Sequence, residues 1–174
     1  CSLGVSVDVA RSAVNTARLV IAQVNPNAPR THGDGMIHAS RFHSMVYCED
    51  PMQETSFAEK VTEKEEQIGR YIAELIEDRS TLQMGIGAIP DSVMKYLYDK
   101  KDLGVHTEMF SDGMIDLVEA GVINGEKKTL HPGKIIAGFV LGTKRVYNFI
   151  DNNPIFEFHP QEYVNDPFII AKNN

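Results

Sequence analysis

Two stretches of the chain, Gln83-Met-Gly-Ile-Gly-Ala-Ile-Pro90 and Gly104-Val-His-Thr-Glu-Met-Phe-Ser-Asp-Gly113, decide the fold class. The first is a glycine turn between a predicted strand and a predicted helix. The second carries Glu108 at the end of the next predicted strand, about one βαβ step later. The carboxyl ends of parallel strands lie on one edge of a sheet, where ligands usually bind. We therefore expect the turn and the carboxylate at the same edge.

Strands and helices alternate along the sequence. Apolar runs predict strands at residues 19–24, 42–47, 81–84, 102–107, 134–141, 155–158 and 168–171. Amphipathic stretches predict helices at residues 9–17, 57–77, 90–98, 112–120 and 144–150. The run at 19–24 is continuous enough to predict a buried strand, and residues 25–35 have the composition of a loop. This alternation predicts an α/β fold with a mostly parallel open sheet flanked by helices.

Composition excludes several classes of protein. The 174 residues are 43% hydrophobic, which is enough to build a core. A net charge of -7 argues against a nucleic-acid partner, because phosphate contacts need clustered Lys and Arg. No apolar run reaches the roughly 20 residues of a membrane helix, so we expect no membrane partner. Cys1 and Cys48 form no CxxC motif, which predicts neither a disulfide framework nor a zinc cage and favours a reducing, cytoplasmic setting.

The glycine turn at Gly85 and Gly87 has three interpretations. A phosphate-binding P-loop is excluded, since no Gly-Lys-Ser/Thr follows. A dinucleotide-binding turn is a rival, because an acidic residue about 20 positions later belongs to that fingerprint and Glu108 fits it. However, Pro90 stands near the place of the third glycine. A structural turn that binds nothing is the remaining alternative.

Glu108 is also a possible metal ligand. His106 and Glu108 share one face of a strand by two-residue alternation. A metal site needs further ligands, and no third ligand follows at a recognised spacing. The same is true of His32, His38 and His43. The sequence therefore predicts no metal site.

Four blocks carry a resemblance to a known family. They are Gly-Ile-Gly-Ala-Ile-Pro at 85–90, His-Thr-Glu-Met-Phe-Ser-Asp-Gly at 106–113, Thr-Leu-His-Pro-Gly-Lys at 129–134 and Asp-Asn-Asn-Pro at 151–154. In this order and spacing the chain resembles the acetyl-CoA hydrolase/transferase family, and within it the CoA-transferases that act on 4-hydroxybutyrate or butyrate and acetate. Residues 24–34 resemble a further stretch of that family.

The resemblance implies a site and a reaction. Glu108 matches the family's nucleophile, and the turn formed by Gly85, Ile86, Gly87, Ala88 and Ile89 matches the segment that contacts the CoA thioester region. The implied activity is transfer of CoA from an acyl-CoA to a free carboxylate such as acetate or 4-hydroxybutyrate, with ping-pong kinetics through a covalent glutamyl-CoA thioester. No cofactor is expected, because the CoA thioester is a substrate.

The resemblance also bears on domains and partners. We expect residues 1–174 to be an internal fragment that spans the end of an N-terminal domain and the start of a C-terminal catalytic domain, with a boundary at about 50–60. The expected partners are acyl-CoA, short-chain carboxylic acids, the rest of the polypeptide and further copies in a homo-oligomer. Isolated, the fragment is expected to be inactive. Three alternatives stay open: an acyl-CoA hydrolase of the same family, a dinucleotide-binding domain and a non-catalytic CoA-binding module.

Overall fold

The computed structural model describes residues 1–56 and 61–174, and parallel sheets form its framework. A four-stranded sheet has the order β3-β4-β5-β6, and a separate two-stranded sheet pairs β1 with β2; every pairing is parallel. The strands are β1 (Ile21–Val24), β2 (Ser44–Tyr47), β3 (Thr81–Leu82), β4 (Gly104–Phe110), β5 (Ile135–Val140) and β6 (Phe156–Phe158). The predicted α/β class with a mostly parallel sheet is confirmed.

Helices connect the strands and flank the sheet. They are α1 (Ala10–Thr16), α2 (Glu63–Leu75), α3 (Ala88–Lys95), α4 (Ile115–Glu119), α5 (Lys144–Ile150), α6 (Gln161–Val164) and α7 (Pro167–Ile170), with 3-10 turns at Ala39–Arg41 and Asp112–Met114. The predicted helix at 144–150 has the bounds of α5. The predicted helix at 57–77 corresponds to α2, and its residues 57–60 lie outside the described part of the chain.

Helices α2 and α3 pack closely because Gly69 has no side chain. A Cβ at Gly69 would lie within 3 Å of the Ser92 side chain, so the two helices can cross there only with glycine. Helix α2 begins with a capping box, in which the Thr62 hydroxyl accepts from Glu65 N–H and the Glu65 carboxylate accepts from Thr62 N–H. Such a cap contributes roughly 1 kcal/mol.

The amino-terminal segment is built into the larger sheet. Ser6 forms an antiparallel bridge with Phe139 of β5, and Val7 N–H donates to the Gly138 carbonyl. Beyond β6, Gly33 of the predicted loop forms a parallel bridge with Phe158. A Cβ at Gly33 would collide with the Phe158 backbone, which explains the glycine. The loop thus covers the free edge of β6 and carries Asp34 to that edge.

Three sequence predictions about strands are wrong in part. Strand β4 was expected at 102–107, yet it begins at Gly104 and continues to Phe110, so Glu108 lies inside the strand. The run at 19–24 was expected to be buried, but Ile21 of β1 is 60% exposed, because the described residues leave the small sheet uncovered. The run at 168–171 is not a strand.

The apolar run at 168–171 belongs to helix α7 instead. Asp166 is its N-cap, with the carboxylate accepting from Phe168 N–H at 2.7 Å, and Pro167 occupies the first turn. Proline is favoured there because the first helical N–H groups have no partner within the helix. Among the described residues, no helix is both long enough and apolar enough to cross a membrane.

Candidate active site

Glu108 is the one exposed residue of an otherwise buried strand. The other six residues of β4 are buried, whereas the Glu108 side chain reaches solvent. Asn165, directly after α6, donates from its side-chain amide to Glu108 Oε2 at 2.9 Å. Burying a carboxylate without partners is costly, so an acidic residue in a central strand must reach either water or hydrogen-bond donors. Glu108 has both.

The glycine turn lies between β3 and α3. Gly87 is the N-cap of α3 with φ 109° and ψ -177°, a conformation that is open almost only to glycine. Its carbonyl accepts the hydrogen bond from Asp91 N–H that starts the helix. Within the described residues, no group accepts a hydrogen bond from the N–H groups of Gly85, Ile86 or Gly87. These donors are therefore available to a ligand.

Thr107 ties the glycine turn to the strand of Glu108. Its buried hydroxyl accepts from Met84 N–H at 3.2 Å and lies 3.0 Å from the Met84 carbonyl. Met84 directly precedes Gly85, and Thr107 directly precedes Glu108. The turn and the backbone of Glu108 are thus neighbours along the carboxyl ends of two paired strands.

The Glu108 carboxylate itself does not contact the turn. Successive side chains of a strand point to opposite faces, so Glu108 leaves β4 on the face opposite to Thr107. Its hydrogen-bond partner Asn165 belongs to the segment that follows α6. The structure therefore brings the backbone of Glu108 and the turn together, while the carboxylate faces α6.

A cluster of ionisable side chains lies on the face that α6 covers. The strand register pairs His106 with Ile136 and Ile136 with Glu157, so His106 and Glu157 share a face. Tyr163 of α6 contacts three imidazole rings there. The cluster consists of His106, His131, Glu157, His159 and Tyr163.

Electrostatics inside the cluster lower the pKa of two imidazoles, His106 and His131, and of the Glu157 carboxyl group. Burial lowers the pKa of His106 below its ordinary value, and burial together with His159 lowers the pKa of His131. For Glu157, burial acts to raise the pKa, but Lys134 and His131 outweigh it and lower the pKa overall. Burial raises the pKa of Tyr163.

Sequence reasoning paired His106 with Glu108 and missed the other cluster members. The two side chains share the face that α6 covers, as expected: His106 Nε2 lies 2.9 Å from the Val164 carbonyl, and Glu108 accepts from Asn165. A weak signal for the missed residues existed, because Glu157 and His159 are two positions apart at the end of a predicted strand. Their partners His131 and Tyr163 come from a loop and from a helix that the sequence did not predict.

A separate cavity of about 330 Å³ opens at the carboxyl edge of the sheet. The residues that line it include Asp91, Met94, Ser111, Asp112, Thr143 and Arg145. Asp112 closes one side, because its carboxylate accepts from Thr143 N–H at 2.8 Å and from the Thr143 hydroxyl at 2.6 Å. Neither Glu108 nor residues 85–89 belong to this lining.

Comparison with known proteins identifies the family. Residues 1–53 match the acetyl-CoA hydrolase/transferase N-terminal domain, and residues 142–174 match the acetyl-CoA hydrolase/transferase C-terminal domain. The 4-hydroxybutyrate coenzyme A transferase of Clostridium kluyveri is 52% identical over 174 residues, which is 100% of this chain and 40% of that protein. The chain belongs to the acetyl-CoA hydrolase/transferase family.

Two further members of the family are similar along the whole chain. The succinyl-CoA:cyclohexane-1-carboxylate CoA transferase of Geobacter metallireducens is 48% identical over 100% of this chain and 39% of its own length. The crystal structure of a 4-hydroxybutyrate CoA-transferase from Porphyromonas gingivalis superposes with a TM-score of 0.95 at 42% identity, covering 100% of this chain and 44% of that one. The chain thus spans about two fifths of the length of these relatives. The domain boundary at about 50–60 stays a prediction.

Proposed function

We propose that the protein is a CoA-transferase that moves CoA from an acyl-CoA to a free carboxylate, and that Glu108 is its nucleophile. Relatives that match this whole chain are named CoA-transferases, and their names include 4-hydroxybutyrate, acetate and succinyl-CoA. The geometric observation that carries the proposal is the exposure of Glu108 in an otherwise buried central strand, one residue from the tie to the glycine turn.

The proposed reaction proceeds by two exchanges at the Glu108 carboxylate. One oxygen attacks the thioester carbonyl of the acyl-CoA, which gives an acyl-glutamyl anhydride and releases CoA thiolate. The thiolate attacks the glutamyl carbonyl of the anhydride, forms a glutamyl-CoA thioester and frees the first acid. An acceptor carboxylate then reverses both steps and leaves as the new acyl-CoA. CoA serves as a substrate, and no other cofactor takes part.

The glycine turn can position the thioester and stabilise the oxyanion, and a carboxylate nucleophile needs both. Carboxylates react slowly in water, and positioning the thioester beside Glu108 can contribute about 7–11 kcal/mol. Each tetrahedral intermediate carries an oxyanion, for which the free N–H groups of residues 85–87 are suitable donors once the Glu108 side chain turns from Asn165 toward the glycine turn. Loss of one such donor typically costs roughly 2.7–4 kcal/mol. The partners in this proposal are an acyl-CoA and a short-chain carboxylic acid.

Hydrolysis by the same site is the alternative. A hydrolase would use the same carboxylate and let water take the acyl group, so the two activities differ only in the acceptor. The relatives' names favour transfer. Product analysis with and without acetate separates them, because a transferase forms acetyl-CoA and a hydrolase forms free CoA.

The decisive experiment is mass spectrometry of the complete polypeptide that carries these residues. Incubation with an acyl-CoA alone should attach CoA to the peptide that contains Glu108, and addition of acetate should remove it. Glu108→Gln should abolish both the adduct and CoA transfer. Glu126→Gln, which changes an exposed loop glutamate, is the matched control and should behave as wild type. An adduct on another residue, or turnover close to wild type in Glu108→Gln, refutes the assignment.

A further inference from the structure

Three potential metal ligands converge on the face of the sheet that α6 covers. They are His131 in the loop before β5, Glu157 in β6 and His159 just after β6, and their ligand atoms all lie within 4.8 Å of one another. Glu157 Oε2 lies 3.3 Å from His131 Nδ1 and 3.6 Å from His159 Nε2. We propose that this His–Glu–His cluster binds a divalent transition-metal ion of the Zn²⁺ type.

Two of the three distances between the ligand atoms fit one ion, and the third is within 4.8 Å. Zinc binds imidazole nitrogen and carboxylate oxygen at about 2.0–2.2 Å in a tetrahedral arrangement, which places neighbouring ligand atoms about 3.3–3.6 Å apart. The two distances from Glu157 Oε2 already have this length. Glu157 of β6 is therefore already at bonding geometry for one ion, and only the two imidazoles need to draw closer to each other. Two imidazoles and one carboxylate form the nitrogen and oxygen ligand set that suits zinc and its neighbours better than calcium or magnesium.

The outer hydrogen bonds orient both imidazoles toward the cluster. His159 Nδ1 lies 2.9 Å from Asp34 Oδ2, so Asp34 holds that nitrogen and Nε2 is the nitrogen that faces the cluster. That Nε2 has no hydrogen-bond partner among the described residues, although His159 is only 8% exposed. An orphaned buried nitrogen that points at a carboxylate and a second imidazole is what a missing ligand would explain.

His131 is held in the same way. Its Nε2 lies 2.6 Å from the Tyr163 hydroxyl, which leaves Nδ1 facing Glu157. Partners of this kind fix the tautomer and ring direction of metal-binding histidines. The His131 and Glu157 side chains are 27% and 25% exposed, so the cluster is open on one side. A water or a substrate oxygen can take the fourth position, as in sites that retain an open coordination place.

This proposal is independent of CoA transfer, since Glu108 and the turn are not among the ligands. The competing explanation is an ion-pair network, in which protonated His131 and His159 together with Lys134 neutralise Glu157. Such a network needs no metal. The two explanations differ in what zinc does to the protein.

Zinc titration of the complete polypeptide, after removal of metals by a chelator, distinguishes them. Calorimetry should show one zinc bound per chain, and zinc should raise the melting temperature. Glu157→Gln keeps the side-chain shape but removes the anionic ligand. His131→Asn keeps a residue that tolerates the positive φ of 51° at this position. Both variants should lose the calorimetric site, while His38→Asn, the same change at an exposed histidine, should retain it.

Asp34→Ala tests the outer hydrogen bond. Its zinc affinity should fall by roughly 10- to 100-fold, the usual effect of losing an outer partner of a ligating histidine. Co²⁺ in place of Zn²⁺ should give the strong visible absorption of a tetrahedral site. The proposal is overturned if wild type binds no zinc, or if Glu157→Gln and His131→Asn bind it as tightly as wild type does.

Discussion

A turn can need glycine for two reasons, open space beside the backbone or a positive φ. The substitutions Gly85→Ala and Gly87→Ala test these two reasons separately. At Gly85 an added Cβ would lie 3.5 Å from Pro90 Cγ, an ordinary contact, and φ is not in the positive region. At Gly87 an added Cβ would meet nothing within 4 Å, but φ is 109°. The first substitution therefore tests the space in front of the turn, and the second tests its backbone conformation.

The expected changes in stability have opposite signs. Alanine at Gly85 fits the folded conformation and restricts the unfolded chain, so the free energy of unfolding should stay unchanged or rise by about 0.4–1 kcal/mol. Alanine at Gly87 must adopt a backbone conformation that costs about 1–3 kcal/mol. Denaturant titration of both variants measures this difference.

The expected change in turnover is large for Gly85→Ala. If the thioester lies against this turn, the new methyl group displaces the carbonyl from its N–H donors, and loss of one donor corresponds to roughly 2.7–4 kcal/mol. The rate constant kcat/KM for acyl-CoA should then fall about 100- to 1,000-fold while stability is kept. Gly85→Ala with wild-type kcat/KM would refute the contact between turn and thioester. Equal losses of stability and turnover at Gly85 would make that glycine only structural.

The remaining predictions test neighbouring contacts. Thr107→Val leaves Met84 N–H without its acceptor and should cost about 1–3 kcal/mol of stability by denaturant titration, whereas Thr107→Ser should keep most of it. Asn165→Ala removes the hydrogen bond that positions Glu108, so kcat/KM should fall roughly 10- to 100-fold with no loss of stability; an unchanged kcat/KM would contradict that role. Burial lowers the pKa of Lys128 to about 8 from 10.5, so the unfolded chain binds more protons between these values. Relative to Lys128→Met, stability should therefore rise with pH across this window, by up to about 1.4 kcal/mol per unit, and a flat difference would contradict the burial of the charge.

The bounds of helices and strands were predicted best where several local sequence signals agree. Helix α5 has its predicted bounds because Thr143 caps its first turn, with the hydroxyl accepting from Arg145 N–H. Strand β5 was predicted at 134–141 and found at Ile135–Val140, since a continuous apolar run between turn residues can be buried on both faces of a parallel sheet. In both cases composition and turn chemistry point to the same element.

The sequence predictions failed where a short apolar run could form either a strand or a helix, and where burial depends on the neighbouring elements. At 168–171 four apolar residues suggested a strand, although the preceding Asp-Pro pair, which caps and starts α7, was already visible in the sequence. At 19–24 the apolar pattern suggested burial, but burial depends on which elements cover the sheet, and the described residues do not cover β1. A pattern of residues records how apolar a strand is, not what covers it.

The proposed CoA-transfer site and the His–Glu–His cluster differ in how far the sequence alone could predict them. The relation between the glycine turn and Glu108 follows from one rule, because strands joined by a helix pair in parallel and bring their carboxyl ends together. The His–Glu–His cluster follows from no such rule. Asp34 lies 125 positions from His159 and reaches it only because Gly33 lets the loop pair with β6. Sites assembled from such distant segments depend on tertiary packing, so they can be found only after the fold is known.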